Sequence, residues 1–192
     1  MKRIVLIAAL ALAGLLLTGQ GIWIHAKAIV AQVLLNRAFT QTIATGHPVK
    51  PWSWADTWPV AKIEVPRLGV SEIVLAGSSG QALAFGPGHV EMSSDAGEAG
   101  VAVYSAHRDT HFRFLKDVKI NDAIAVTRKD GEVFLYRVTH TSVVRFDESG
   151  IEPHADGKFL MLTTCWPFEA VTPGPLRYVV YAEMVDESDI DC

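Results

Sequence analysis

Cysteine is scarce in this chain, which has only Cys165 and Cys192. A small disulfide-stapled scaffold needs more, and the Cys-x-x-Cys spacing of a structural zinc site is absent. A disulfide between the two is possible in an oxidising compartment, although Cys192 is the last residue, where chains commonly fray. Cys165 is therefore either a small core residue or a reactive thiol, and its neighbours must decide between the two.

A large excess of charge of either sign is also absent. Lys and Arg number 17 against 21 Asp and Glu, which gives a net charge of -4. The chain thus lacks the basic field of a nucleic-acid-binding protein, and we predict no nucleic-acid partner. A hydrophobic fraction of 49% argues against disorder. No motif indicates a metal or an organic cofactor, and we predict neither.

The N-terminus carries one long apolar run. Lys2 and Arg3 precede 21 uncharged residues, Ile4 to Ile24, and about 20 suffice to cross a bilayer as a helix. The basic residues favour a cytoplasmic N-terminus. We therefore predict a single-pass membrane anchor over residues 1–24, with the rest of the chain on the non-cytoplasmic side. The alternative is a signal peptide cleaved after the Ala-Lys-Ala sequence at residues 26–28.

A linking region over residues 25–57 follows the predicted anchor. Its first part, 25–45, contains no proline, and its apolar residues have helical spacing. The pattern predicts a packing helix that ends at Gly46, with an apolar face formed by Ile29, Val30, Val33 and Leu34. The segment beyond Pro48 is rich in proline and tryptophan and indicates an extended linker.

From residue 58 onward the pattern is one of short strands. No helical pattern of ten residues lies between consecutive strands, which excludes the parallel α/β folds. An all-β barrel or sandwich is expected over residues 58–186, with a tail at 187–192. The predicted strands are 61–65, 71–75, 101–105, 123–128, 133–144, 159–164 and 176–184.

Two of these strands place a cysteine and an arginine opposite each other. One strand ends at Cys165, the next begins around Arg177, and antiparallel pairing brings the two side chains face to face. An arginine stays protonated, so it can lower the pKa of a neighbouring thiol or donate hydrogen bonds to an oxyanion that forms during acyl transfer. Because arginine cannot transfer a proton, the reaction needs another group for that step, and histidine is the usual one. We select His107 because it follows the strand 101–105 and lies where loops build sites. His111 in the same segment is the nearest alternative.

Three segments in this order resemble the motifs of the sortase family of cysteine transpeptidases. Tyr104–Thr110 resembles the sortase histidine motif, Leu162–Cys165 resembles its Thr-Leu-x-Thr-Cys signature, and Leu176–Val180 resembles its arginine strand. Phe85–His89 is also similar to a family segment. Ala106 and Met161 depart from the family pattern without removing a reacting group. The whole is most similar to class GN, the sortases of Gram-negative bacteria.

The resemblance implies a closed eight-stranded β-barrel and a transpeptidase that cleaves a sorting signal of the Leu-Pro-x-Thr-Gly type. Cys165 is then the nucleophile, His107 the proton carrier and Arg177 the oxyanion stabiliser. The implied partners are a target protein that carries the signal near its C-terminus, an amine acceptor, and the inner membrane through the N-terminal helix. Some sortases bind calcium, but no matching acidic set is present here.

Several alternatives stay open at this point. Thr164 either contacts substrate or only occupies its strand, and Trp166 either walls the groove or packs within its own loop. Asp109 either orients His107 or makes a local contact. A cysteine hydrolase, a barrel that only binds peptides, and a metal site built from His107, His111 and Cys165 are the rival functions.

Overall fold

The computed structural model describes residues 2–148 and 155–185. Cys192, the other half of the possible disulfide, lies outside these residues. Within them, eight strands close into one barrel in the order β1-β2-β3-β4-β7-β8-β6-β5, and β5 pairs with β1 to complete it. The strands are β1 (Pro59–Val65), β2 (Val70–Ala76), β3 (Gly88–His89), β4 (Gly100–Ser105), β5 (Ala123–Arg128), β6 (Val133–Arg145), β7 (Lys158–Cys165) and β8 (Leu176–Val185). The prediction of a closed eight-stranded barrel is therefore confirmed.

The strand patterns of the sequence locate seven of these eight strands, each to within two residues at either end. They miss β3, because a strand of two residues with a glycine has no alternation to detect. Glycine is needed there for close approach. A Cβ built on Gly88 would lie 2.3 Å from the carbonyl oxygen of Gly77, and one on Gly86 would lie 2.6 Å from that of Ile73. The glycines thus let this segment lie directly against β2, with which β3 pairs in parallel.

The barrel wall contains a second parallel pair, β4 with β7. β4 is buried from Gly100 to Tyr104, and the middle of β7, residues 159–162, is apolar, as strands covered on both faces must be. The barrel interior is filled by a large cluster whose biggest fully buried side chains are Tyr136, Phe112, Ile63 and Leu115. This packed wall is a rigid platform for the loops at its rim.

The N-terminal region forms a single helix, α1 (Lys2–Thr45), rather than an anchor and a separate following helix. No proline interrupts it before Gly46, whose φ of +70° ends the helix as predicted. None of the helices in the described residues is long and apolar enough to cross a membrane. The predicted transmembrane helix over residues 1–24 is therefore not supported.

The face of α1 that packs on the barrel differs from the predicted face. Leu35 is fully buried and Phe39 is 5% exposed, and both lie in a cluster with Ile73 and Leu75 of β2. Of the predicted face, Ile29, Val30 and Val33 are more than half exposed. That part of the prediction is wrong because two apolar stripes of this helix have the same 3.6-residue period. Only the stripe that meets β2 is covered.

Replacing Leu35 with alanine should lower the free energy of unfolding by about 3 kcal/mol, within the range for a leucine removed from a packed core. Val33→Ala is the matched control on the same helix, since Val33 is 62% exposed and should change the free energy by less than about 0.5 kcal/mol. Urea unfolding of both variants measures the difference. Equal losses would mean that α1 does not dock through Leu35.

Candidate active site

The pairing of three strands brings three chemically useful residues to one end of the barrel. In the parallel β4–β7 pair, Ser105 is the partner of Thr163, so the chain that continues to His107 and the chain that continues to Cys165 leave the sheet at the same edge. In the antiparallel β7–β8 pair, Cys165 is the direct partner of Arg177. Directly opposed residues of an antiparallel pair project on the same face. The predicted pairing of Cys165 with Arg177 is confirmed.

All three side chains line one groove. The groove has a volume of about 320 Å³ and includes His107, Cys165 and Arg177 among its walls. The remaining lining is mostly apolar: Leu83, Val90, Val103, Val144, Phe146 and Val179, with Ser105, Ala106, Thr163 and Thr164. Such a groove fits an extended peptide with apolar side chains and holds the sulfur at its edge.

Cys165 is partly exposed at the end of β7 and carries a free thiol. Its sulfur is therefore accessible to a substrate, unlike the sulfur of a core cysteine. The position of Cys165 therefore favours a reactive thiol over a small core residue.

Arg177 is held in place by its own loop. Its Nη1 donates to the carbonyl oxygens of Gly174 and Leu176, both at 2.9 Å, and its guanidinium lies 5.6 Å from the ring centre of Phe146. Nε and Nη2 make no hydrogen bond with any described residue. The side chain thus has a fixed orientation and two sets of free donors in the groove, as an oxyanion stabiliser requires.

His107 is exposed at the start of the loop that follows β4. Its backbone carbonyl accepts hydrogen bonds from the amides of Thr110 and Phe112, so the loop fixes the main chain while the imidazole makes no hydrogen bond with the described residues. An anchored backbone with a free ring suits a group that gives a proton and later takes one back.

Asp109 makes the local contact rather than orienting the histidine. Its carboxylate lies 3.4 Å from Nε of Arg108, and its side chain is 73% exposed. Arg108, in contrast, is buried and reaches across to the loop that follows Cys165. Its Nη2 donates to the carbonyl oxygens of Ala170 and Thr172. Nothing in the sequence signals this clamp, because an arginine beside a histidine motif gives no indication of burial.

Thr164 joins the cysteine strand to the histidine loop. Its side chain is almost fully buried, and its hydroxyl donates to the carbonyl oxygen of Ala106 at 2.7 Å. Ala106 is the residue directly before His107. Although Thr164 lies at the groove wall, its hydroxyl is therefore engaged in fixing the distance between the segments that carry His107 and Cys165. Its predicted contact with substrate stays a prediction.

Replacing Thr164 with valine keeps the shape and removes the hydroxyl. The buried carbonyl of Ala106 then loses its donor, and we expect a loss of about 1–2 kcal/mol in unfolding free energy. A fall of about tenfold in peptide cleavage should follow, because a misplaced catalytic group is costly. Thr164→Ser keeps the donor and should lose much less of both. Denaturant unfolding and a cleavage assay on the two variants would refute this role if valine and serine behaved alike.

Trp166 belongs to the loop's own aromatic cluster. Its ring stacks on Tyr178 with ring centres 5.6 Å apart and meets Phe168 edge-on at 5.6 Å. It does not line the groove that holds Cys165. The cluster fixes the start of the loop between β7 and β8. Packing of Trp166 within its own loop therefore fits the structure better than a position in the groove wall.

The rival metal site does not assemble. Nδ1 of His111 lies 2.8 Å from the carboxylate of Glu72 on β2, and His111 is not part of the groove of His107 and Cys165. Within residues 2–148 and 155–185, no three His, Cys, Asp or Glu side chains converge. His111 instead ties the histidine loop to the barrel.

A second arrangement of nucleophile, histidine and acid lies near β3. The hydroxyl of Ser93 is 3.0 Å from Nε2 of His89, whose Nδ1 is 3.8 Å from Asp95. Nε2 also lies 3.0 Å from the carbonyl oxygen of Ser94, to which it can only donate. An Nε2 that donates cannot take a proton from Ser93, whose hydroxyl already donates to the carbonyl of Val90. This network therefore braces a turn and is not a second active site.

Comparison with known proteins gives a consistent result. The family model described as the Sortase domain matches residues 63–185. Sortase D of Bacillus subtilis (strain 168) is 32% identical over 124 residues, which is 64% of this chain and 62% of that relative. The chain thus matches less than two thirds of the length of this relative.

Solved structures agree at the level of the fold. The Sortase D5 transpeptidase of Clostridium perfringens superposes with a TM-score of 0.66 at 20% identity, over 82% of this chain and 99% of that one. Sortase C-1 of Actinomyces oris superposes with a TM-score of 0.60 at 26% identity, over 67% of this chain and 75% of that one.

Proposed function

Because this chain belongs to the sortase family, we propose that it is a cysteine transpeptidase that joins a protein carrying a sorting signal to an amine. The observation that carries the proposal is the convergence of His107, Cys165 and Arg177 on one peptide-sized groove. Each residue has the chemistry that one step of acyl transfer needs, and each faces the same space.

In the first half-reaction, the Cys165 thiolate attacks the carbonyl carbon of the scissile peptide bond. Arg177 donates hydrogen bonds to the oxyanion through its free Nε and Nη2 groups. The intermediate collapses with cleavage of the carbon–nitrogen bond, and the His107 imidazolium gives its proton to the departing amine. The product is a thioester between Cys165 and the acyl fragment.

In the second half-reaction, an amine attacks the thioester carbonyl and Arg177 again holds the oxyanion. Neutral His107 takes the proton from the attacking amine. The carbon–sulfur bond then breaks, and the thiolate is restored. The same three side chains serve both halves, since the second is the reverse of the first with a different amine.

We further propose a Leu-Pro-x-Thr-Gly-like signal as the donor. The apolar lining of the groove supports it, because such a signal offers a leucine and a proline ahead of the bond that is cut. Membership of class GN rests on the motif resemblance alone and stays a prediction.

A location on the non-cytoplasmic side of the inner membrane is also a proposal. Its support is the apolar run that follows Lys2 and Arg3. Protease treatment of intact spheroplasts would test it, since a protein facing the cytoplasm would be protected from digestion.

The decisive experiment is to trap the thioester. Purified full-length protein is mixed with a peptide that contains Leu-Pro-Glu-Thr-Gly, and intact-protein mass spectrometry follows the adduct. The proposal expects the mass of the acyl fragment at Cys165 and its discharge when an amine is added. An adduct discharged by water at the same rate with and without amine would identify a hydrolase. No adduct at all would overturn the proposal.

A further inference from the structure

A second recess lies beside the catalytic groove and shares no lining residue with it. It has a volume of about 360 Å³. One wall is made by Arg108 and Asp109, which follow His107, and by Arg113 and Lys116 further along the same segment; the other is made by the loop that follows Cys165. The lining consists of Arg108, Asp109, Arg113, Lys116 and residues 168–171. It is therefore built from the two segments that carry the proton carrier and the nucleophile.

The charges around this recess are unevenly paired. Arg113 and Lys116 are exposed, and neither makes an ion pair with any described residue. The recess also has two carboxylates: Asp109, which is paired with Arg108, and Glu169, which makes no ion pair with any described residue. The three cations of the lining, Arg108, Arg113 and Lys116, outnumber its two carboxylates. They create a local positive potential for a ligand of opposite charge.

Arg108 gives an independent indication of a missing hydrogen-bond acceptor at the recess. The residue is only 7% exposed, and its Nη1 is buried without a hydrogen-bond partner in the described part of the chain. Asp109 lies near Nε and not near Nη1. Buried donors are normally hydrogen-bonded, because an unpaired one loses its hydration without compensation. An oxygen of an anion bound in the recess would supply an acceptor for Nη1 while Nη2 holds the carbonyl groups of the loop.

We propose that this recess binds the anionic group, a carboxylate or a phosphate, of the amine acceptor. The inference rests on the proposed transpeptidase function and concerns its second substrate. The acyl donor fills the groove of Cys165 and Arg177, so the acceptor has to approach past His107, which takes its proton. The recess begins at the residue after His107. An anion held there by Arg113 and Lys116 places the amine of the same molecule beside the imidazole.

The test compares acceptors that carry the anionic group with acceptors that lack it. The full-length protein is loaded with a Leu-Pro-Glu-Thr-Gly peptide, and transfer to glycylglycine is compared with transfer to glycylglycinamide. Transfer to phosphoethanolamine is compared with transfer to ethanolamine. The first pair probes a carboxylate and the second a phosphate. We expect kcat/KM to be about tenfold higher for the charged member of at least one pair, as one unit charge near two cations allows.

The variant R113Q/K116Q should reduce this preference to about one. The variant K50Q/K158Q also removes two exposed cations, but outside the recess, and it should keep the preference. Raising the salt concentration should weaken the preference in the unchanged protein. The pair that shows the larger preference identifies the anion.

Two results would overturn the inference: equal transfer within both acceptor pairs, or a preference that survives in R113Q/K116Q. A failure of the proposed function has a different signature: no acyl adduct would appear at Cys165, whether or not an acceptor is added. The inference would then fail together with the proposed function.

Discussion

Cys165→Ala is expected to abolish both peptide cleavage and transfer, with a fall in rate of at least about 10⁴-fold. Alanine cannot form the thioester, and the neighbouring Thr164 hydroxyl cannot replace the thiol, because it is committed to the carbonyl of Ala106. Intact-protein mass spectrometry should show no adduct with the sorting peptide. A fluorogenic cleavage assay should give only the background rate.

The same variant should leave the fold and the peptide groove in place. Cys165 is only partly buried at the end of its strand, and the change removes a single sulfur atom. The unfolding midpoint is expected to stay close to that of the unchanged protein, and the sorting peptide should still bind. If Cys165→Ala kept its activity, the barrel would be a peptide-binding module and the sulfur would have no chemical role.

The sequence alone locates most strands of this barrel because half-buried strands carry an alternating pattern. It does not show which strands are neighbours. The parallel pairing of β4 with β7 joins segments about 60 residues apart, and such partners are chosen by packing of the whole barrel rather than by local pattern. The same limit explains the helix α1. Two stripes of equal period were available, and only the position of β2 decides that the one with Leu35 is buried.

The three candidate catalytic residues were predictable because their chemistry constrains them. Acyl transfer requires a nucleophile, a proton carrier and an oxyanion stabiliser at one place. The sequence offers a cysteine at a strand end, an arginine at the start of the next strand and a histidine after an earlier strand. The supports around them were not predictable. The bond from Thr164 to Ala106 and the reach of Arg108 to Ala170 join residues distant in sequence. Their side-chain types are common in turns and on surfaces, so no local signal marks them.

Arg177 carries the second large expected effect because its geometry is specific to a guanidinium. One nitrogen, Nη1, is used to hold the carbonyls of Gly174 and Leu176. The flat group rests near the ring of Phe146, and this leaves Nε and Nη2 for substrate. A lysine has the same charge but a single ammonium group, which cannot hold the loop and donate to an oxyanion from a planar fork.

Arg177→Lys is therefore expected to lower kcat/KM for cleavage of the sorting peptide by about 10²–10³-fold, the loss typical of a missing oxyanion donor. The fall should lie mainly in kcat, since the oxyanion exists only after attack. Arg145→Lys on the neighbouring strand β6 is the matched control, because Arg145 forms its paired hydrogen bonds with Asp147 and is not part of the groove lining. Steady-state kinetics on both variants separates the roles. If Arg177→Lys kept the rate, only the charge would matter at this position, and the directed hydrogen bonds would have no part in catalysis.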